Sequence, residues 1–534
     1  MAIKRYIASA DTTITNAFRE NLITRGTGSN SGANDTLEVF SIYGQQSSGS
    51  AELSRILIQF EVTGNINDIA YTRHTDQIPS SGSVNFYLRM FNSRHEKTLP
   101  KNYTLEVIPV TRAWNEGDGL DIESYTDLTF DRGGANWMRS TDSTSWSTPG
   151  GDYLEQATWR KNVTFNDGTE DLELDVTDVV ENWIKGASGG GIANYGFGVR
   201  LVQANEAYFS SSVFAGSPPD TPPTFSGSVL HNLSGSVRSY YTKKFFSRSS
   251  EFFFKKPILE ARWDSSKRDD RSKFYLSSSL ATQEDNLNTV FLYNYSRGKL
   301  ANIRDVGKGA IFVTIFSGNM ANNLPTTSSI KLPQGGGVTA SAAGYPTYVT
   351  GGWYQTGIYT ASFALTGNIN KLSKVYDVWS NTAERTQTNY MQFFTGTIIL
   401  NSQEGQAWNT DTDYVSNITN IKSTYSKDET ARFRIYARPR NWNPAIYNKA
   451  TSKPESTTFD KAVYKIIRTV DDYEAVSFGT GSDLQTRMSY DVSGNYFDFD
   501  MRLLEPGYMY EIKLAYYLNN SWKQQRESFK FKVE

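Results

Sequence analysis

The chain has 534 residues, 14% of them aromatic and 38% hydrophobic, which exceeds one ordinary core and excludes a disordered polymer. Lys and Arg number 54 against 56 Asp and Glu, a formal net charge of −2, so no global field draws the protein to nucleic acid or acidic lipid. There is no cysteine, which excludes disulfides and thiolate metal sites.

In chain order, Met1 to Ala10 has a basic start but no apolar stretch before Asp11. No later segment approaches the ~20 apolar residues of a membrane helix. The expectation is a soluble protein made without a Sec signal. Residues 1 to about 265 read as one β-sandwich. In Ser54–Phe60 the residues Ile56, Ile58 and Phe60 alternate onto one face, and Asn85–Phe91 and Tyr103–Val110 follow as strands. Leu172–Val176 alternates in the same way and then changes period. Thr177 reads as an N-cap, Asp178 lies in the first turn, and Val179, Val180, Trp183 and Ile184 fall on one helical face that Gly186 closes. The strand at Asn194–Gln203 puts Phe197, Val199 and Leu201 on one side, and Pro257–Trp263 is the closing strand.

The order Ala10-Asp11, SRILIQFEV (Ser54 to Val62), VIPVTRAWNEG (Val107 to Gly117), LDVTDVVENWIKG (Leu174 to Gly186), NYGFGVRL (Asn194 to Leu201) and PILEARW (Pro257 to Trp263) resembles the DNRLRE-type domain. The resemblance spans about half the chain. It implies a jelly-roll sandwich similar to carbohydrate-binding modules, with sugar binding as the associated property. Ala207 to Lys244, with its Pro-rich SPPDTPPTF, reads as an insertion before the final strands.

Ser265–Ser272 is charged and free of apolar residues, the composition of a linker. Residues 273–402 read as an immunoglobulin-like sandwich, with strands at Ala310–Phe316, Gly357–Leu365 and Gly396–Leu400. Residues 410–534 read as a third sandwich of immunoglobulin or fibronectin type. There Leu504–Leu514 resembles the approach to a tyrosine corner. The fold class expected is therefore all-β: a jelly roll with one short helix, then two immunoglobulin-like sandwiches. From Gly309 to Asn370 the one charged residue is Lys331, as in a surface covered by other subunits or in a sandwich with polar, uncharged loops.

Candidate chemistry is sparse. Gly186-Ala-Ser188-Gly-Gly190 matches G-x-S-x-G, but a helix precedes it, whereas a nucleophile elbow needs a strand before and a helix after. His74, His95 and His231 have no paired-ligand spacing. The acidic loop Asn115–Asp121, with Asp118 and Asp121, has the oxygen-rich composition of a calcium loop without the EF-hand order, so its metal content stays open, as it does for Asp11 and Asp35. Trp114, Trp137, Trp146 and Trp159 are either sugar platforms or core, and Trp183 reads as core. Tyr240–Arg248 interleaves aromatic and basic residues in the manner of single-strand binders, or is a strand with a solvated cationic face, or a docking edge for a partner.

No catalytic residue and no cofactor is expected. The functional expectation is a structural subunit of a tailed-bacteriophage particle, associated with neck, tail, baseplate or fibre. It would assemble in the host cytoplasm into the virion and form oligomers with other virion proteins, with contact to a host surface glycan and none to nucleic acid or membrane. A carbohydrate-binding adhesin and a polysaccharide-active enzyme are the alternatives.

Overall fold

The computed structural model describes residues 2–21, 24–43, 51–62, 68–94, 99–124, 133–208, 232–278, 281–282, 284–316, 348–365, 374–383, 386–401, 413–442 and 456–534. The chain is all-β and divides into two compact units, Ala2–Asp264 and Ser265–Glu534.

Eleven strands are described in the first unit: β1 (Ile3–Ile7), β2 (Ala10–Thr15), β3 (Thr36–Tyr43), β4 (Glu52–Gln59), β5 (Asn85–Met90), β6 (Tyr103–Pro109), β7 (Lys161–Phe165), β8 (Leu172–Asp175), β9 (Phe197–Leu201), β10 (Ser239–Phe246) and β11 (Ile258–Arg262). One sheet runs β1-β11-β5-β8, the other β10-β3-β4-β9-β6-β7, with β2 also on β4. The pairs β1–β11, β4–β9, β5–β8 and β6–β7 are all antiparallel, first with last and inward. That nesting is the jelly-roll wrap. Ile56, Ile58 and Phe60 reach the main core with Phe86, Leu88, Phe197, Val199 and Leu201, as the alternation predicts. β10 corrects the insertion reading: Ser239–Phe246 pairs along its whole length with β3 and belongs to the sheet. Residues 209–231 lie outside the described residues.

Three short helices accompany these strands: α1 (Ile69–His74), α2 (Asp121–Ser124) and α3 (Thr177–Lys185). α3 buries Val179, Val180 and Trp183, with the Trp183 ring 4.5 Å from that of Phe197. Thr177 does not cap this helix. Its hydroxyl accepts from the Phe86 N–H of β5, while Asp175 accepts from the Thr177 N–H. Gly186 closes the helix at φ +67°, a conformation that favours glycine.

The second unit holds two sandwiches. The first is a single seven-stranded sheet in the order Phe274–Tyr275, Gln392–Asn401, Lys374–Ser380, Ile311–Phe316, Tyr348–Gln355, Ile358–Phe363, Asn288–Tyr293. Tyr348–Gln355 pairs with one neighbour through its first half and with the other through its second, so the sheet folds over at Gly351-Gly352. The charge-poor stretch supplies three interior strands of this sheet; residues 317–347, including Lys331, lie outside the described residues. The other sandwich packs a four-stranded sheet (Tyr414–Ile418, Thr430–Pro439, Gly494–Asp500, Ser489–Asp491) on a five-stranded one (Thr424–Tyr425, Ser521–Val533, Met509–Leu518, Ala462–Arg468, Tyr473–Val476). Its tyrosine corner is Tyr510, fully buried, whose hydroxyl donates to Glu505 O at 2.8 Å.

The segment 265–272 is not a free linker. The Lys267 N–H donates to Ser489 Oγ, Tyr490 N–H to Lys267 O, and Asp269 N–H to Tyr490 O, so the segment extends the third sandwich. Asp270 joins both sandwiches, accepting from the Tyr490 hydroxyl at 2.6 Å and from the Thr289 N–H at 2.6 Å. Arg271 is buried in the second sandwich against Asp377 (2.7 Å), Asp269 (2.5 Å) and Phe291 O (2.6 Å). Gly396 makes room for this ion pair, because a Cβ there would stand 2.4 Å from Asp377 Oδ1.

Candidate functional site

Strands β4, β9 and β6 lie side by side, and their core residues alternate with charged ones. Ile56, Val199 and Val107 face the main core, which places Arg55, Arg200 and Glu106 in a row on the opposite face. Residues 111–124 and 133–156 cover this face. They bring Trp114, Trp137, Trp146 and Tyr153 onto Ile14, Leu53, Leu57 and Ile108 as a second apolar core. Tyr153 lies flat on β9 because residue 198 is glycine, where a Cβ would stand 2.2 Å from the ring.

Beside this lid a cleft of about 680 Å³ remains, lined by Arg55, Arg200, Tyr153, Glu155, Glu206 and Tyr195 among others. Arg200 pairs with Glu106 at 2.8 Å and doubly with Glu155 at 3.0 and 2.9 Å. Arg55 donates to Gly150 O at 3.0 Å and reaches Glu206 at 3.5 Å. Both guanidiniums lie over the Tyr153 ring, at 5.6 and 5.0 Å. At the rim Arg112 holds Asp152 at 2.8 Å. Burial raises the Glu155 carboxyl, but the hydrogen bonds and charge of Arg200 outweigh it and hold the group below the usual carboxylate range. Burial pushes the Tyr153 hydroxyl up. These groups form fixed, oppositely charged pairs that present donors and acceptors to a polar ligand.

Of the residues singled out in the sequence, Trp137, Trp146 and Trp114 are core of the lid, and Trp159 is half-buried against the main core, so none is an exposed platform. Ser188 is exposed in a short 3-10 turn after α3, away from any strand-to-helix elbow. His74 is exposed at the end of α1, whereas His95 and His231 lie outside the described residues. The acids of the 115–121 loop diverge. Glu116 accepts from the Asp11 N–H and binds Arg248 at 2.5 Å, Asp121 accepts from the Asn30 N–H, and Asp118 and Asp35 are exposed. Among the described residues no three His, Asp or Glu are gathered as metal ligands. The basic residues of β10 and its following turn are engaged within the unit. Lys243 is fully buried, donating to Asn92 Oδ1, Gly168 O and Glu170 O, and burial pushes its ammonium down to about 8; Lys244 is near Glu38, and Arg248 is on Glu116. Sequence reasoning alone misses Arg55, Arg200 and Tyr153. Their signal is a charged residue between core positions on two neighbouring strands.

No family model matches this chain, and no curated protein matches it. Among solved structures, the titin domains Z1Z2 in complex with telethonin align over 49% of this chain and 90% of theirs, at 9% identity and TM-score 0.13. A trypsin-activated alpha-2-macroglobulin from Escherichia coli aligns over 93% of this chain and 30% of its own, at 8% identity and TM-score 0.14. A DUF4785 family protein from Legionella pneumophila aligns over 99% of this chain and 92% of its own, at 8% identity and TM-score 0.13. At these scores the similarities carry no functional argument.

Proposed function

We propose that this chain is a structural docking protein, a subunit of a tailed-bacteriophage particle that works through its sandwich surfaces rather than by catalysis. The supporting observation is the edge strand β10. Tyr240, 66% exposed, stands opposite Ile42, 51% exposed, on the neighbouring β3, in a unit whose tryptophans are otherwise buried or half-buried. Lys244 O and the Phe246 N–H on this edge are already bonded to Ser93 and Phe91, so the sheet edge at Ser239–Thr242 offers the main-chain donors and acceptors and the apolar pair offers area to bury, a combination that fits a protein strand. The resemblance to DNRLRE-type domains and the modular all-β plan support the same reading. Tyr240→Glu with Ile42→Glu tests it. The expected result is an unchanged circular dichroism spectrum and a tenfold or greater loss of incorporation into particles; normal incorporation contradicts the proposal.

The cleft favours a second reading, a glycan-binding protein. Fixed carboxylate–guanidinium pairs beside Tyr195 and Tyr153 suit a polyhydroxylated ligand. Calorimetric titration with host-surface oligosaccharides tests it: binding abolished by Glu206→Gln supports this reading, and no heat at millimolar sugar removes it.

A further inference from the structure

Each compact unit contains an arginine shared by two carboxylates, one of which is almost fully buried. In the first unit Glu116 holds the Arg248 guanidinium through two bonds of 2.5 Å, and Asp11 receives only the Arg248 backbone N–H at 2.6 Å. Asp11 is 1% exposed, and its Oδ1 has no hydrogen-bond partner among the described residues. In the second unit Arg271 lies between Asp269 and Asp377, 6% and 0% exposed. Asp377 Oδ2 accepts from Arg271 and from Trp379 Nε1, while its Oδ1 is buried without a partner among the described residues.

Both clusters, taken alone, carry one negative charge in excess; in the second all three groups are buried, and in the first Asp11 is buried while Arg248 and Glu116 stay partly exposed. A buried carboxylate without a full complement of donors is costly as the anion and favours the acid. We propose that each unit carries an acid-strengthened lock, a pair of carboxylates on one arginine that takes up a proton as the medium falls from mildly alkaline to mildly acidic and thereby tightens that unit.

The facing charges agree with this. Asp11 meets Glu116 from the 111–121 loop and Arg248 from the turn after β10; burial is the largest influence and pushes its carboxyl up to about 7. Asp269 meets Arg271 on its own turn and Asp377 from Lys374–Ser380, with Tyr293 also within reach of its charge; burial again leads and pushes it up to about 6. An acid whose native value lies above its unfolded value of about 3.9 contributes stability that is full below that value and lost as pH rises through the native one. For these two groups stability therefore climbs as pH falls from 8 towards 5. Glu260, buried under Arg5, Arg89 and Arg262, is held far below the usual range despite its burial and is lost only in stronger acid, outside this window. Lys243 changes charge near and above pH 8, at the alkaline limit of it.

Scanning calorimetry of the full chain at pH 8.0 and 5.5 tests the proposal. The wild-type transition of the first unit should rise by about 4–8 °C at the lower pH, and that of the second by about 2–3 °C. Asp11→Asn should flatten the dependence of the first unit, and Asp269→Asn should reduce that of the second, where burial also raises the carboxyl of Asp270. Transitions that fall at pH 5.5, or variants with the wild-type slope, overturn it. Because Asp269→Asn also removes a bond to Arg271, carboxyl NMR titration of the wild-type chain provides an independent reading. Asp11 and the coupled Asp269–Asp377 pair should take up a proton at about pH 6 or above, and titration of both sites below pH 5 overturns the proposal.

Discussion

Two segments without regular strands lie on sheets in this molecule, and they are held by opposite means. Residues 111–124 and 133–156 cover the outer face of the jelly roll's larger sheet with Trp114, Trp137, Trp146 and Tyr153, a lid of aromatic rings. Residues 265–272 join the two sandwiches of the second unit through Asp270, Arg271, Asp377 and Tyr490, a clasp of ions and hydrogen bonds. Apolar burial is non-directional and grows with area, so the lid tolerates small shifts of its parts. The clasp works at one geometry, since a buried charge that loses its partner is worse than none. The lid therefore supplies stability, and the clasp sets how the two sandwiches meet.

Large side chains at the centre of each device should show the difference most strongly. Trp137→Ala in the lid and Trp183→Ala in the main core should each cost about 3–5 kcal/mol, measured by urea unfolding. A loss below about 1 kcal/mol at Trp137 would mean that the lid is not a core. At the clasp, Arg271→Met should cost a similar ~3–5 kcal/mol by stranding Asp269 and Asp377. Replacing Arg271, Asp269 and Asp377 together by Met, Asn and Leu should recover most of that loss, a rescue that no second substitution should give at Trp137. If the triple variant is as unstable as the single one, the clasp is a packing element like the lid.

Single hydrogen bonds should give smaller effects that still separate clasp from lid. Tyr490→Phe removes a hydrogen bond to a carboxylate and should cost about 1.5–3 kcal/mol, splitting the calorimetric transition of the second unit in two. A single unchanged transition would show that other contacts hold the sandwiches together. Tyr510→Phe, at a neutral bond inside one sandwich, should cost about 0.5–1.5 kcal/mol without splitting anything. Ser188→Ala, on an exposed turn, should stay within about 0.5 kcal/mol and alter no activity of the chain.

The difference between lid and clasp also explains what can be read from the sequence. Ile56, Ile58 and Phe60, or Val179, Val180 and Trp183, declare their face through periodicity inside one element, and the strands and α3 follow from them. α1 escapes such a reading because six residues with Ile69 and Thr72 inward make too short a pattern. Ser265–Ser272 has the composition of a solvated linker because the partners of its charges lie far off in sequence: Asp377 pairs with Arg271 from 106 positions away, and the Tyr490 hydroxyl donates to Asp270 from 220 positions away. β10 reads as part of an insertion for the same reason: Lys243 is caged by Asn92, Gly168 and Glu170, a surrounding that local composition does not reveal. Arg55 and Arg200 become a site only when β4 meets β9. Where a residue's role depends on its own element the sequence is readable, and where it depends on a distant partner the fold is needed.

Whether the chain is a docking subunit is decided most directly by the protein inventory of density-gradient-purified particles from cells producing it. A docking subunit should be present in those particles at a fixed stoichiometry and be retained after washing in high salt, because its contacts are apolar and main-chain. Recovery of the chain wholly in the soluble fraction, as a monomer absent from particles, would contradict that role.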